Sequence, residues 1–460
     1  MHTHFIGICG VGMSALAIAL HKNGHTVTGS DVGFYPPVST HLKDAGVNYY
    51  PGWHPEKMGT PDLVVVGNVA GSTNPEWLYV QEKKLPYVSY PELIAKYLIA
   101  PHSIVCAGTF GKTSTATIMS WILEKSGMHP NYMFGGLCSD TTFPSAQISD
   151  TATWSVVEGD EYKTSRWDNG PKFNHYKPTH LLLTATVWDH MDVYPTEAAY
   201  IEVFQKLVAS VPADGLIVAS TRVPESIISH AQCRVVRYGE TGAEYTYSDI
   251  VGTKDGISFS LHTPTDTIEL RSTLIGTYMA DNIAACATLA LEIGLTLEQI
   301  QSSITSFPGI ARRLQKRFEG DITIFDDIAH SPTKAASSLK TLRELYSGKI
   351  IAVYEPNTGN RKEEAVPQYA DAFANADTVI IPKLTAVKIA ADDMSPPFDG
   401  VRLTEVIAQT HSGVRYIEDD TQVVETILSE TNTGDCVVFL GSHGFRGMID
   451  ELVSHLSSRA

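Results

Sequence analysis

Ser103-Ile-Val-Cys-Ala-Gly108-Thr109-Phe110-Gly111-Lys112-Thr113-Ser114 joins an apolar run to a glycine-containing turn, and Thr115 to Ser126 follow with the pattern of a helix. The order is strand, turn, helix, which in an open parallel sheet places the turn beyond the carboxyl end of a strand, where ligands bind. Successive backbone N–H groups at such a turn wrap a phosphate chain. The reading makes Gly108, Thr109, Gly111, Lys112, Thr113 and Ser114 phosphate-binding positions, with the Lys112 ammonium at the β- and γ-phosphates and the Thr113 hydroxyl on Mg²⁺. Counted from Gly108 the stretch is shorter than the usual eight-residue pattern, but Gly-Lys-Thr directly after an apolar strand is hard to explain as a turn alone. An ATP-using enzyme is the expectation.

Outward from this stretch the chain repeats one rhythm. Before it, short apolar runs at His4-Phe-Ile-Gly-Ile, His25-Thr-Val-Thr-Gly-Ser, Asp62-Leu-Val-Val-Val-Gly and Tyr87-Val-Ser alternate with helical segments. After it come Trp154-Ser-Val-Val, His180-Leu-Leu-Leu-Thr and Leu216-Ile-Val-Ala, then a β-rich stretch around Tyr245 to Leu274. A last block repeats the pattern at Ile322-Thr-Ile-Phe, Lys349-Ile-Ile-Ala-Val-Tyr, Thr378-Val-Ile-Ile and Cys436-Val-Val-Phe-Leu. Alternating strands and helices predict parallel sheets and an α/β fold. The 460 residues are about three times a common domain length of roughly 150, so three domains are expected, over 1–98, 99–309 and 310–460.

Composition narrows the partners. A formal net charge of -17, with no long Lys/Arg run, argues against nucleic acid and anionic membranes. The six cysteines are too scattered for close-spaced zinc or redox pairs and read as reduced thiols. Phe5 to Leu20 lacks a basic flank and fits strand-turn-helix better than a signal peptide, and no other segment resembles a membrane span. A cytoplasmic protein without membrane insertion is expected. Oligomeric state is not legible.

Chemistry-bearing residues cluster where apolar runs end. Glu158-Gly-Asp160-Glu161 follows the Trp154 run, and Asp189-His190-Met-Asp192 follows the Leu181 run. With Lys112 and Thr113 they would converge on a metal-nucleotide site, since carboxylate oxygens and an imidazole nitrogen can hold Mg²⁺. Gly7-Ile-Cys-Gly10-Val11-Gly12-Met13-Ser14, with Asp31 about twenty residues on, resembles a dinucleotide fingerprint of altered spacing. Its glycines would admit a diphosphate and Asp31 a ribose hydroxyl, which suits NAD or a UDP-sugar equally. An oxidoreductase reading accounts for this motif but leaves the Lys112 turn unexplained. Arg312-Arg313 and Asp326-Asp327-Ile-Ala-His330-Ser-Pro, which follows a strand, offer a guanidinium for the γ-phosphate and a carboxylate for the ATP ribose.

Taken together, Gly-x-x-Gly-x-Gly-Met, Gly108-Thr-x-Gly-Lys-Thr, Glu158-x-Asp-Glu, Asp189-His190-Met-Asp, the Asn282 region, Arg312-Arg313-Leu-Gln and Asp326-Asp327-x-x-His330-x-Pro resemble, in this order and over nearly the whole chain, the Mur ligase family. The resemblance implies an α/β protein of three domains: a Rossmann-like amino-terminal domain for a UDP-sugar, a central P-loop ATPase-like domain, and a Rossmann-like carboxy-terminal domain that binds the peptide and closes the site. It implies ATP and Mg²⁺, with Lys112, His190 and Arg312 in catalysis and Thr113, Glu158 and His190 on two metal ions. Asn282 would lie near adenine, and Asp326 and His330 near the ATP ribose or phosphates. Gly10, Val11, Gly12, Met13, Asp31 and Asn68 would hold the acceptor. Asn357 and Arg361, by position after the Ile350 run, are candidate peptide contacts.

Within the family, Tyr35-Pro-Pro-Val-Ser-Thr40, Val66-Gly-Asn68 and Lys172-Phe-x-His175-Tyr-x-Pro178 resemble the branch that adds L-alanyl-γ-D-glutamyl-meso-diaminopimelate to UDP-N-acetylmuramate in peptidoglycan recycling. The L-alanine-adding branch, which uses the same acceptor, is the alternative. Phe110, Val187 and Met279 replace a usual histidine, glutamate and asparagine, and a non-catalytic nucleotide sensor is a third reading on that ground. Phe204 stands where some members carry a carbamylated lysine.

Overall fold

Near-continuous apolar runs such as Leu63-Val-Val-Val66 suit strands covered on both faces, which is the condition of a parallel sheet flanked by helices. In the computed structural model, which describes residues 1–35, 38–190, 193–385 and 397–458, they form such strands. β1 (His2–Ile6), β2 (Thr26–Asp31), β3 (Asn48–Pro51), β4 (Leu63–Val66) and β5 (Tyr87–Ser89) make a parallel sheet in the order β3-β2-β1-β4-β5. The order reverses between β1 and β4. That switch point opens a crevice where the Gly7–Gly12 turn and Gly67-Asn68 emerge side by side.

The second sheet has ten strands: β6 (His102–Ala107), β7 (Asn131–Met133), β8 (Ala146–Gln147), β9 (Trp154–Gly159), β10 (His180–Leu183), β11 (Leu216–Ser220), β12 (Arg234–Gly239), β13 (Tyr245–Thr253), β14 (Gly256–His262) and β15 (Thr267–Ser272). Their order is β15-β14-β13-β12-β11-β10-β6-β9-β7-β8. β6, the strand before the Lys112 turn, is flanked in parallel by β10 and β9, with Ala107 opposite both Leu183 and Gly159. This register delivers the ends of three strands to one place. The β-rich stretch expected around residues 245–274 is β13 to β15.

A third sheet comprises β16 (Gln315–Glu319), β17 (Thr323–Asp327), β18 (Ile350–Glu355), β19 (Thr378–Pro382), β20 (Val414–Ile417) and β21 (Cys436–Gly441), in the order β16-β17-β21-β18-β19-β20. Only β16 runs antiparallel to its neighbour. The architecture is thus α/β with three sheets. By packing, the chain divides into two compact units. One is Met1–Val251, Ser258–Thr273 and Tyr278–Pro308; the other is Gly252–Ile257, Leu274–Thr277 and Gly309–Ala460. The first unit carries the first sheet, and one hydrophobic core runs through it from Phe5 and Leu16 to Leu183 and Ile217.

Two expectations about element ends are corrected. The helix after the turn is Lys112–Lys125, three residues earlier than the sequence pattern suggests, because Gly111 adopts a left-handed φ of 79° and caps it. Glu158 and Asp326-Asp327 lie inside β9 and β17 rather than after them, since pairing continues through Cys106↔Glu158 and Asp327↔Leu440. All six cysteines are free. Among the described residues no helix is long and apolar enough to cross a membrane.

Candidate active site

The helix starting at Lys112 has no side-chain cap, so its first N–H groups point outward unpaired by the helix itself and favour an anion. The turn before it is tied to the segment after β10. Thr109 N–H donates to the Ala185 carbonyl at 2.9 Å, the Thr109 hydroxyl to the Val187 carbonyl at 2.7 Å, and the Thr184 hydroxyl to the Phe110 carbonyl. Asn282, buried on the helix Met279–Glu292, places its side-chain oxygen where a Cβ on Gly111 would be. It therefore braces the turn directly.

A chain of charges crosses this turn. Lys112 Nζ sits 2.9 Å from the carboxylate of Glu161, which is 0% exposed, and His190 Nε2 lies 3.2 Å from the same group. Tyr200 adds its hydroxyl, 3.0 Å from the Thr109 hydroxyl and 3.4 Å from Glu161, and Tyr194 donates to the Glu161 carbonyl. The hydrogen bond that His190 donates to Glu161 raises its imidazole above the ordinary value, against the opposing pull of burial. His190 itself is held at a left-handed φ of 54°, an unusual backbone state for a non-glycine and of the kind that clusters at functional sites.

Beside this chain, the Thr113 hydroxyl donates to Glu158 at 2.8 Å, and the other Glu158 oxygen accepts the Gly135 N–H at 2.6 Å. Burial pushes the Glu158 carboxyl up, opposed by those two hydrogen bonds and by Lys112. Magnesium is a hard cation that binds one or two carboxylates and completes its shell with water and substrate phosphates. The Thr113–Glu158 oxygen pair fits that habit. His190, the third residue expected on the metal, directs its Nε2 to Glu161 and so joins the Lys112–Glu161 chain. Among the described residues no group of three or more His, Cys, Asp or Glu gathers into a cage.

The other glycine turn faces the same unit. Gly10 caps the helix Val11–Lys22, again with no side-chain cap and no acidic residue in the first turn. Asp31, at the end of β2, accepts the Cys9 N–H at 2.9 Å and the Val32 N–H at 2.7 Å and so stiffens the turn. A cavity of about 350 Å³ opens here; Gly10, Gly12, Met13 and Asn68 form one wall, and Glu158 and Lys172 the other. Both turns therefore border Glu158. Val11 is 47% exposed at the helix start, outside that lining.

The expected residues of the second unit are placed differently. Arg312 gives Nε to Asp326 at 3.2 Å, Nη1 to the Ser442 carbonyl at 3.0 Å, and Nη2 to the carbonyls of Gly441 and His443 at 2.5 and 2.8 Å. Its guanidinium is engaged as a brace, and Asp326, 3% exposed, is paired to it. Burial lowers the His330 imidazole, whose Nδ1 meets the Ile328 carbonyl at 2.8 Å. Asn357 caps a short turn through Asn360 N–H, and Arg361, 7% exposed, donates to the Phe398 and Thr385 carbonyls at 2.8 and 2.9 Å. Asn357 and Arg361 thus have internal partners. Pro36, Pro37, Met191 and Asp192 lie outside the described residues.

Comparison with known proteins decides the family. Residues 2–100 match the Mur ligase family catalytic domain, 106–290 the Mur ligase middle domain, and 312–443 the Mur ligase glutamate ligase domain. The chain belongs to the Mur ligase family. It is similar to the UDP-N-acetylmuramate–L-alanine ligase of Mesorhizobium japonicum, at 30% identity over 95% of this chain and 94% of that one. It is also similar to the UDP-N-acetylmuramate–L-alanyl-γ-D-glutamyl-meso-2,6-diaminoheptandioate ligase of Escherichia coli, at 28% identity over 100% and 99%. Among solved structures, a murein peptide ligase from Psychrobacter arcticus superimposes with a TM-score of 0.72, at 25% identity over 99% and 98% of the two chains. Mur ligases are ATP-dependent enzymes that form amide bonds in peptidoglycan metabolism, and this chain is such a ligase.

Within this Mur ligase the three departures leave the charge chain untouched. Phe110 and Val187 are 60% and 57% exposed, while Met279 is buried and its sulfur lies 3.6 Å from the Asn282 amide. Phe204 is fully buried against Tyr200 and Phe173. Sequence reasoning missed Glu161 as the partner of Lys112, and Tyr194 and Tyr200 as its supports. The signal for Glu161 was present, as an acidic residue three past Glu158, but its partner lies forty-nine positions away and only strand register pairs them.

Proposed function

We propose that this Mur ligase joins the lactyl carboxylate of UDP-N-acetylmuramate to the amino group of L-alanyl-γ-D-glutamyl-meso-diaminopimelate, by way of an acyl phosphate made from ATP. The observation that carries the reading is the shared wall: Glu158 borders both the cavity of the first glycine turn and the Thr113 end of the second. An acceptor held by its diphosphate at Gly10–Gly12 would thereby present its far end to the phosphate turn. In this reading residues 1–98 take the UDP-sugar, 99–309 take ATP, and 310–460 take the peptide, in the cytoplasm where the nucleotide substrates are found.

A carboxylate is a poor electrophile, so the first step makes a better leaving group. A carboxylate oxygen bonds to the γ-phosphorus, the bond from that phosphorus to the β-γ bridging oxygen breaks, and ADP departs. The amine nitrogen then bonds to the acyl carbon, the tetrahedral intermediate expels phosphate, and the surplus proton on nitrogen is lost to solvent. Lys112 neutralises phosphoryl oxygens, and the exposed N–H groups of the Lys112 helix hold them in line. Glu161, with His190 and Tyr200 upon it, keeps the Lys112 ammonium aimed across the turn before ATP arrives. Thr113 and Glu158 would hold magnesium, which when bound reduces the repulsion between an anionic nucleophile and a polyphosphate. Arg312, expected near the γ-phosphate, is paired with Asp326 at the second unit's strand ends.

The tripeptide is favoured because the segment Lys172-Phe-x-His175-Tyr-x-Pro178 resembles that branch, and because the tripeptide ligase of Escherichia coli is matched from end to end. The L-alanine reading has its own support in the 30% identity to an L-alanine ligase. Incubation with Mg²⁺, ATP, UDP-N-acetylmuramate and equal amounts of tripeptide and L-alanine separates the two by product mass. The UDP-muramoyl tripeptide is the expected product. UDP-muramoyl-L-alanine alone would move the chain to the other branch, and binding without product would favour a sensor.

A further inference from the structure

We propose that Lys172 grips the carboxylate of the acceptor and so makes the enzyme selective for a nucleotide sugar that carries one. This rests on the acceptor reading above. The cavity presents Glu158 and Asp160, and Lys172 is the one cation among its described lining residues. An acceptor whose reacting group is itself a carboxylate would be repelled by these two acids. Lys172 offsets one of those two charges and puts a cation within the wall.

The ammonium is held for the task. Its backbone N–H donates to the Tyr162 carbonyl at 3.1 Å, and the next residue, Phe173, is fully buried and fixes the short turn Lys172–His175. The side chain, 18% exposed, forms an ion pair with Asp160, and Nζ lies 5.8 Å from the Tyr162 ring centre. Of its three donors, an ammonium needs one for Asp160 and can direct another at a second carboxylate. The two ends of the ligand are then recognised by different chemistry: backbone N–H groups at Gly10–Gly12 take the diphosphate, and Lys172 takes the carboxylate near the phosphate turn, where the first bond must form.

The test compares UDP-N-acetylmuramate with UDP-N-acetylglucosamine, the same nucleotide sugar without the lactyl ether, by titration calorimetry on the full chain with Mg²⁺ and a non-hydrolysable ATP analogue. Lys172→Gln keeps a hydrogen-bonding partner for Asp160 and removes the charge. Loss of a charge-assisted hydrogen bond predicts about 10- to 100-fold weaker binding of UDP-N-acetylmuramate, and UDP-N-acetylglucosamine binding within about two-fold of the parent. Lys172→Arg should restore most of the preference. In turnover, the Gln variant should raise KM for the acceptor and leave KM for ATP in place. Should Lys172→Gln fail to fold, Lys172→Met gives the same comparison, and retained UDP-N-acetylglucosamine binding shows the cavity intact. Equal weakening of both ligands, or of neither, overturns the role of Lys172 while the acceptor assignment stands. A parent protein that binds neither nucleotide sugar overturns both.

Discussion

Gly10 and Gly111 each start a helix, each without a side-chain cap, and each leaves N–H groups directed at an anion. Around Gly10, Asp31 accepts the Cys9 and Val32 N–H groups and rigidifies the backbone. Around Gly111 the turn carries Lys112 and Thr113, paired with Glu161 and Glu158 from β9 and the residues just after it. The first arrangement offers an anion backbone N–H groups, with its acid spent on holding the turn. The second is built of opposed charges in a largely buried setting, where electrostatic interactions are strong. The neighbouring strand, rather than the loop, separates binding from chemistry.

Four substitutions would break or sharpen that contrast. Lys112→Met is expected to have the largest effect, lowering kcat by about 10³-fold, on the scale of removing a preorganised transition-state contact, while calorimetry shows UDP-N-acetylmuramate affinity unchanged. Gly111→Ala comes next. Its φ of 79° is disfavoured for alanine and its Cβ would strike Asn282, so kcat/KM for ATP should fall by about 10²-fold and the melting temperature should drop, again with the acceptor site intact.

Glu161→Gln keeps the shape but releases Lys112, and steady-state kinetics should show kcat lower by about 10-fold. It also carries a pH signature. The folded imidazole of His190 is raised by Glu161, so this pairing contributes stability that is fully present below the unfolded value of about 6.5 and is lost as pH rises through the raised folded value. The gap in melting temperature between parent and Glu161→Gln should therefore narrow as pH is raised through that window. Gly12→Ala is the mildest: its Cβ would lie 2.7 Å from the Tyr90 hydroxyl, and acceptor KM should rise about 5-fold with KM for ATP unaltered. Should Gly12→Ala instead impair ATP use as strongly as Gly111→Ala, the two turns would not be functionally separate.

Much of this was legible in the sequence, for physical reasons. Apolar runs read at Leu216–Ala219 and Cys436–Leu440 became the strands Leu216–Ser220 and Cys436–Gly441, buried along their whole length, because continuous burial leaves little freedom in where a strand lies. The Gly-Lys-Thr turn declared itself since glycine, a cation and a hydroxyl all have to stand in the same few positions. What the sequence concealed is which partner each charge takes. Arg312 offered a guanidinium and Arg361 a place in a loop, and neither showed the carbonyls at distant sequence positions that each one meets. His190 likewise gave no sign of its contact with Glu161. Such choices depend on strand register and loop return, which residue type does not encode locally.

The most direct measurement of the central claim is the fate of oxygen in the acceptor. UDP-N-acetylmuramate labelled with ¹⁸O in its lactyl carboxylate is incubated with ATP, Mg²⁺ and the tripeptide, and the released phosphate is weighed by mass spectrometry. Phosphorylation of the carboxylate predicts one labelled oxygen in each phosphate formed alongside amide product. Phosphate that carries no label while amide accumulates would contradict the acyl phosphate, and with it the assignment of chemistry to the Lys112 turn.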